Sequence, residues 1–71
     1  MERYRNLSGV SGVSAYEIGP DYIQVKFTTG AVYTYSYRSA GGGNVEQMKI
    51  LAESGRGLNS YINKYVKSLY E

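Results

Sequence analysis

Hydrophobic and polar residues alternate with a period of two on either side of Thr29 and Gly30. Before this pair the alternating apolar positions are Ile23, Val25 and Phe27, and after it they are Tyr33, Tyr35 and Tyr37. Alternation around a glycine-containing turn is typical of a β-hairpin. The pattern therefore predicts two antiparallel strands, over residues 22–28 and 31–37.

The turn of this hairpin decides which face the tyrosines occupy, because a shift of one residue in the pairing turns a strand over. A two-residue loop, Thr29-Gly30, needs a positive φ at both positions, which the β-branched Thr29 resists. A three-residue loop, Thr28-Thr29-Gly30, needs it only at the glycine. The longer loop pairs Val25 with Tyr33 and predicts that the aliphatic residues and the tyrosines share the core face.

The shorter loop is the alternative, and it gives the sheet a different surface. Aromatic, polar and basic side chains would then share an outer face that could stack bases. These are Tyr22, Gln24, Lys26, Tyr33, Tyr35 and Tyr37. The turn chemistry of Thr29 and the small supply of aliphatic residues favour the core interpretation.

A further strand precedes the hairpin. The residue pattern predicts that this strand covers residues 13–18, with Tyr16 and Ile18 facing inward and Val13 on the opposite face. The sequence Gly19-Pro20-Asp21 predicts the turn that follows, because proline presets φ and aspartate can bond its own backbone. Three strands in succession predict an antiparallel β-meander.

Two helices are predicted after the sheet. The first covers residues 45–53, with Asn44 as its N-cap, Gln47 completing a capping box and Gly55 as a left-handed C-cap. Its apolar stripe is Val45, Met48, Leu51 and Ala52, and that of the second helix is Leu58, Tyr61, Ile62, Tyr65, Val66 and Leu69. The three glycines at positions 41–43 predict a connector, because no Lys-Ser/Thr pair follows them as a phosphate-binding loop requires.

The complete prediction is an α+β fold, with a three-stranded antiparallel β-meander followed by two helices packed on one face. Residues 1–9 predict a polar, loosely ordered lead-in, and residues 10–71 predict a single domain.

Composition narrows the chemistry. The 71 residues include no cysteine and no histidine, and the six carboxylates form no recognisable catalytic pair. We therefore expect no enzyme activity, no cofactor and no metal site. The apolar runs are too short to cross a membrane and no signal region is evident, so we expect a cytoplasmic protein without a membrane partner.

The order of these signals resembles a known family. Tyr16 ends the first strand, the pattern Ile-x-Val-x-Phe-x-x-Gly-x-x-Tyr-x-Tyr spans residues 23–35, and Ala52-Glu53-Ser54 with Gly55 precedes Leu58-Asn59 and Ile62. Over roughly residues 8–66 this resembles the KTSC domain, a module named for the C-terminus of some lysyl-tRNA synthetases and also found in small bacterial and phage proteins. The chain departs from the family at residues 37–44, which replace a usual Val-Pro, and in a Ser54-to-Gly55 spacing that is one residue short.

The resemblance implies a small non-catalytic domain whose role is poorly defined, and the link to a synthetase suggests contact with RNA or tRNA. Carried over residue by residue, the family motif falls on Phe27, Gly30, Tyr33, Tyr35, Ser54, Gly55 and Asn59. Most of these positions have a structural explanation, as core residues, as sources of backbone freedom or as ties at helix ends.

Two function classes are open. The first is a weak nucleic-acid-binding module, in which basic residues contact phosphates and tyrosines stack bases. Its candidate residues are Tyr22, Lys26, Tyr37, Arg38, Arg56, Lys64 and Lys67. The second is a protein-interaction or self-association module that uses a sheet edge and exposed tyrosines. The net charge of +2 mildly favours the first class.

Overall fold

This computed structural model describes residues 1–9 and 11–71, which form a four-stranded antiparallel sheet with helices packed against it. The strands are β1 (Glu2–Arg3), β2 (Val13–Ile18), β3 (Tyr22–Phe27) and β4 (Val32–Ser36), in the order β1-β2-β3-β4. The helices are α1 (Tyr37–Ala40), α2 (Gly42–Ser54) and α3 (Leu58–Tyr61), which continues as a π-helical segment (Ile62–Val66). The α+β class and the antiparallel sheet are confirmed, whereas the predicted number of three strands is wrong.

The additional strand, β1, lies in the segment predicted to be a loose lead-in. Its residues pair with β2, Glu2 opposite Tyr16 and Arg3 opposite Ala15. The next residue, Tyr4, is buried in the core, and its hydroxyl oxygen accepts a hydrogen bond from the Leu58 N–H at 3.4 Å. A two-residue strand is too short to show alternation, so the sequence pattern gave no sign of it. The predicted domain boundary at residue 10 lies outside the described residues.

The β3–β4 hairpin has the predicted three-residue loop. Val25 pairs with Tyr33, and the Gly30 N–H donates to the Phe27 carbonyl oxygen at 2.9 Å. Gly30 has a φ of 96°, in the region that favours glycine. Tyr33 and Tyr35 therefore face the helices, and the alternative outer face that would have included them is wrong.

A register shift in β2 corrects another part of the prediction. The pairing with β3 is irregular between Val13 and Ala15, as in a β-bulge. The extra residue turns Val13 to the same face as Tyr16, where both are buried. The predicted placement of Val13 on the opposite face is therefore wrong, because strict alternation fails at a bulge.

A short helix replaces the end of the third predicted strand. The Ser36 side chain accepts from the Ser39 N–H and the Ser39 hydroxyl accepts from the Ser36 N–H, both at 3.0 Å, which forms a capping box. Tyr37 therefore begins α1 instead of ending β4. The sequence does not signal this box clearly, because serine, rather than glutamate or glutamine, supplies its second half.

The glycine run belongs to α2 rather than to a connector. Gly41 is the N-cap and the next two glycines form the first turn. Asn44 is consequently inside the helix, where its Nδ2 donates to the Ala40 carbonyl oxygen at 2.8 Å, and its predicted N-cap role is wrong. Gly55, with a φ of 77°, is the predicted left-handed C-cap.

One continuous core joins the sheet to the helices. The buried residues are Tyr4, Val13, Tyr16, Ile23, Val25, Tyr35, Ala40, Val45, Met48, Ala52, Leu58, Ile62 and Val66. In the last helical segment the buried positions recur every four residues, whereas Tyr65 and Leu69 of the predicted stripe are exposed. The wider π-helical turn brings residues four apart onto one face, and so turns Tyr65 outward.

Candidate nucleic-acid interface

A groove of about 360 Å³ opens between the tip of the β3–β4 hairpin and the C-terminal segment. Its lining residues are Phe27, Thr29, Ala31, Tyr33, Tyr35, Ile62, Asn63, Lys67, Ser68 and Tyr70. We call it the aromatic groove. It depends on the hairpin loop, because only the three-residue turn directs the β4 tyrosines towards the helices.

The C-terminal residues form the second wall of this groove. After the π-helical segment, the Leu69 N–H donates to the Val66 carbonyl oxygen at 2.8 Å. The chain then meets the free edge of β4, where the Glu71 N–H donates to the Thr34 carbonyl oxygen at 2.7 Å. The Ser36 hydroxyl also donates to the Glu71 carboxylate. Because Leu69 and Glu71 are the sequence neighbours of Tyr70, these bonds hold Tyr70 beside the β4 tyrosines.

The aromatic rings form a connected set. Tyr33 packs against Tyr70 with centroids 4.4 Å apart and an angle of 36° between the ring planes. Phe27 meets Tyr33 edge-on at 5.8 Å, and Tyr35 meets Tyr70 edge-on at 6.2 Å. Edge-on contacts of this kind are a favoured arrangement of aromatic pairs. The rings therefore present a preformed aromatic surface.

Exposure divides the rings into a floor and an accessible surface. Tyr35 is only 1% exposed, and burial, with smaller contributions from Tyr33 and Tyr70, raises its pKa to about 12. Tyr70 is 42% exposed, whereas Phe27 and Tyr33 are half-buried. Tyr35 thus forms the floor, and Phe27, Tyr33 and Tyr70 are the rings that a ligand can reach.

The polar groups of the groove favour an anionic ligand. Among the described residues that line it, Lys67 is a cation and none is a carboxylate. Asn63, Thr29 and Ser68 add neutral hydrogen-bonding groups. Rings beside a cation and amide or hydroxyl groups make up the usual surface for a nucleic-acid strand, in which bases stack and the phosphates meet positive charge.

The seven predicted nucleic-acid-binding residues are spread over several parts of the fold. Lys67 lines the aromatic groove, and Lys64 lies one turn earlier, with its Nζ 5.7 Å from the centroid of the Tyr65 ring. Tyr22 and Lys26 belong to β3, on the face that alternates with the buried Ile23 and Val25. Tyr37 and Arg38 are in α1, and Arg56 is in the loop between α2 and α3. Of these seven, Lys67 alone is among the described residues that line the groove.

Tyr37 is engaged in a separate polar cluster. Its hydroxyl donates to a Glu46 carboxylate oxygen at 2.6 Å, which raises the pKa of Tyr37. Lys49 pairs with the same carboxylate at 2.8 Å, and the bonds from Lys49 and Tyr37 lower the pKa of Glu46. Lys49 also donates to the Pro20 carbonyl oxygen at 3.1 Å. The cluster ties α1 and α2 to the β2–β3 turn, and its carboxylate makes Tyr37 a poor neighbour for phosphate.

The family-motif positions outside the groove have structural roles. The Ser54 hydroxyl donates to the Leu51 carbonyl oxygen at 2.8 Å and so closes the last turn of α2. At Gly55 a Cβ atom would come within 2.8 Å of the Arg5 Cβ atom, which leaves no room for another residue type. Asn59 faces Gly12, where a Cβ atom would stand 3.4 Å from Asn59 Oδ1.

Sequence reasoning missed Tyr70 and Asn63 as parts of the site. Tyr70 follows the last apolar position of the predicted helix, so the periodic pattern gave it no role. Asn63 is on the polar side of that helix, where a solvated position was expected. Only the return of the chain along β4 brings Tyr70 to Tyr33, and no local signal in the sequence encodes that return.

In comparisons with known proteins, no family model matches the chain, and no curated protein or solved structure matches it either. The resemblance to the KTSC domain therefore stays a prediction. No helix within residues 1–9 and 11–71 has the length and apolar character needed to span a bilayer.

Proposed function

We propose that this chain is a non-catalytic, KTSC-like module that binds RNA weakly, with unpaired bases stacked in the aromatic groove. The observation that carries the proposal is the accessible pair of Tyr33 and Tyr70 rings beside Lys67. The ring surface supplies stacking, and the lysine supplies a phosphate contact.

The expected affinity follows from the size of this surface. Base stacking on an aromatic side chain contributes about 1–3 kcal/mol per base. Two bases on Phe27, Tyr33 and Tyr70 would then contribute about 2–6 kcal/mol, which alone corresponds to weak binding, with a Kd of roughly tens of millimolar to tens of micromolar. The net charge of +2 adds only a modest electrostatic attraction.

The geometry favours single-stranded segments over duplex. The rings line a groove, so a base must leave its own stack to reach them. Loops and free ends of RNA offer such bases, and the loops of tRNA are the first candidates.

Substitution of Tyr70 by alanine tests this proposal directly. Tyr70→Ala and Tyr33→Leu each remove one accessible ring, so each should weaken binding of a short single-stranded RNA by about 5- to 150-fold, the equivalent of 1–3 kcal/mol. Binding can be followed by fluorescence anisotropy of the labelled RNA.

Tyr65→Ala is the matched control, because Tyr65 is 54% exposed and packs on Tyr61 outside the groove. It should leave RNA binding unchanged. If Tyr70→Ala binds as well as the parent, or if Tyr65→Ala loses as much affinity, the assignment of the groove is wrong.

A second candidate function is self-association through β4. This strand ends the sheet order, although the Glu71 N–H already occupies one main-chain acceptor on its edge, the Thr34 carbonyl oxygen. Val32 on this strand is exposed, and an exposed strand edge can accept a strand from another chain. A molar mass that rises with protein concentration in light scattering would favour this function, and a constant monomer mass would exclude it.

A further inference from the structure

The outer edge of β4 presents main-chain groups that β3 does not use. In the antiparallel pairing with β3, the hydrogen-bonded positions alternate, and on β4 they are Tyr33 and Tyr35. The main-chain N–H and C=O groups of the residues between and beside them therefore face away from β3. These residues are Val32, Thr34 and Ser36.

The residues of β4 include none of the features that usually protect such an edge. Natural edge strands carry charged side chains, prolines or bulges that prevent another strand from pairing with them. Strand β4 has neither a charged residue nor a proline, and its pairing with β3 shows no register shift. Its side chain at Val32 is exposed. Any protection of this edge must therefore come from another part of the chain.

Residues 69–71, which we call the capping segment, supply that protection. The Glu71 N–H donates to the Thr34 carbonyl oxygen at 2.7 Å, and the Ser36 hydroxyl donates to the Glu71 carboxylate. The Tyr70 ring packs on Tyr33 with the centroids 4.4 Å apart. The capping segment thus occupies a main-chain acceptor of the edge and also the ring beside it.

A second copy of the chain can replace both of these contacts. If two β4 strands pair antiparallel about a two-fold axis at Tyr33, Val32 of each copy lies opposite Thr34 of the other, and both residues exchange main-chain hydrogen bonds. This pairing requires the Thr34 carbonyl oxygen that Glu71 occupies. It also brings the two Tyr33 rings together where Tyr70 now packs, and aromatic cross-strand pairs are favourable.

We propose that the capping segment keeps β4 from pairing with a second copy of this chain, and that its release lets two copies join through β4. Because Tyr70 belongs to the capping segment and also forms a wall of the aromatic groove, the paired form lacks that wall. Pairing and RNA binding then exclude each other. This last consequence rests on the proposed function, whereas the capping of β4 does not.

Substitution of Glu71 tests the capping by analytical ultracentrifugation. The attached segment competes with a second copy at an effective concentration on the order of millimolar, so the parent should stay monomeric below about 1 mM. Glu71→Pro removes the N–H that bonds Thr34, and its mass should rise towards that of a dimer in this range. Glu71→Gln is the matched control, because it keeps the N–H and an acceptor for the Ser36 hydroxyl, and it should stay monomeric.

Three results of this experiment would overturn the proposal. They are a monomeric Glu71→Pro variant, equal association of Glu71→Gln and Glu71→Pro, and a parent that already dimerises at micromolar concentration.

A second substitution identifies the surface that pairs. Adding Val32→Glu to Glu71→Pro places a charge on the edge of β4 and should restore the monomer. Within the chain this carboxylate lies opposite Lys26 of β3, so the hairpin should be retained. Hydrogen exchange of the Thr34 amide should slow as Glu71→Pro associates. A dimer that survives Val32→Glu, or a Thr34 amide that exchanges equally fast in it, would overturn the pairing through β4.

Addition of a short single-stranded RNA separates the capping from the proposed function. RNA that binds the groove should lower the dimer fraction of Glu71→Pro. A dimer that binds this RNA and keeps its mass would overturn the mutual exclusion. If the parent binds no RNA while Glu71→Pro still dimerises, the proposed function is wrong and the capping of β4 is supported.

Discussion

Tyr35 joins the core to the aromatic groove. It is buried opposite Ile23 of β3, and its ring meets Tyr70 edge-on. Burial raises its pKa from 10.0 to about 12. Because the folded protein holds this proton more tightly than the unfolded chain does, the resulting stability is complete below pH 10 and is lost as the pH rises through 12.

The variant Tyr35→Phe isolates this effect. It removes the titrating hydroxyl and keeps the ring, so the loss of unfolding free energy between pH 10 and pH 12 should shrink by about 2 kcal/mol relative to the parent. Urea unfolding at a series of alkaline pH values measures the difference. The same alkaline loss in Tyr35→Phe and in the parent would contradict the burial argument.

Substitution of two glycines by alanine should change the free energy of unfolding in opposite directions. Gly30 has a φ of 96° and no heavy atom near an added Cβ, so Gly30→Ala introduces backbone strain alone and should lower the free energy of unfolding by about 1–2 kcal/mol. Gly43 lies in the first turn of α2 without a positive φ and also has open space, so Gly43→Ala should raise the free energy of unfolding by up to about 1 kcal/mol. Urea midpoints report both changes. A stabilised Gly30→Ala variant would argue against the three-residue loop.

The ties between elements depend on residues that look ordinary in the sequence. Tyr4 anchors β1: its N–H donates to the Ser14 carbonyl oxygen at 3.0 Å, and its hydroxyl accepts from the N–H of Leu58 in α3. Tyr61, also in α3, donates its hydroxyl to Asn44 Oδ1 in α2 at 2.6 Å. The N-terminal segment and the two helices are thus connected by tyrosine hydroxyls.

Removal of the Tyr4 hydroxyl tests the link between β1 and α3. Tyr4→Phe keeps the buried ring but leaves the Leu58 N–H without its acceptor, so the unfolding free energy should fall by about 0.5–1.5 kcal/mol. Hydrogen exchange of the Leu58 amide should accelerate more than that of Val25 in the centre of the sheet. An unchanged stability and an unchanged Leu58 exchange rate would mean that the long, 3.4 Å bond contributes nothing.

Local chemistry decides which elements the sequence predicts correctly. The hairpin register follows from one requirement, a positive φ at Gly30 but not at Thr29, and that requirement can be read from residue types. The bulge in β2 and the pairing of β1 arise from contacts between strands, which leave no periodic pattern. The aromatic groove contains one residue of each kind. The position of Tyr33 can be predicted from the hairpin turn, whereas that of Tyr70 depends on the return of the chain along β4, which no local pattern indicates.

For the molecule as a whole, the arrangement of charge separates two surfaces. Glu2, Glu17 and Glu53 line an opening beside β1 and β2, and Lys67 lines the aromatic groove beside β4. Under the proposed function, the phosphates of an RNA strand would be attracted to Lys67 and repelled from the three carboxylates. With few phosphates contacted, the affinity should depend on salt, but less steeply than that of a strongly basic protein.

An NMR titration of the labelled protein with a short single-stranded RNA, at about 50 mM and again at about 200 mM salt, decides whether the aromatic groove binds RNA. We expect shifts of the Tyr33 and Tyr70 ring signals and of the Lys67 amide at the lower salt. For the one phosphate contact that Lys67 supplies, the affinity should fall by about two- to three-fold at the higher salt. The absence of shifts at low salt, or shifts confined to Tyr22 and Lys26 on the other face of the sheet, would contradict RNA binding in the groove.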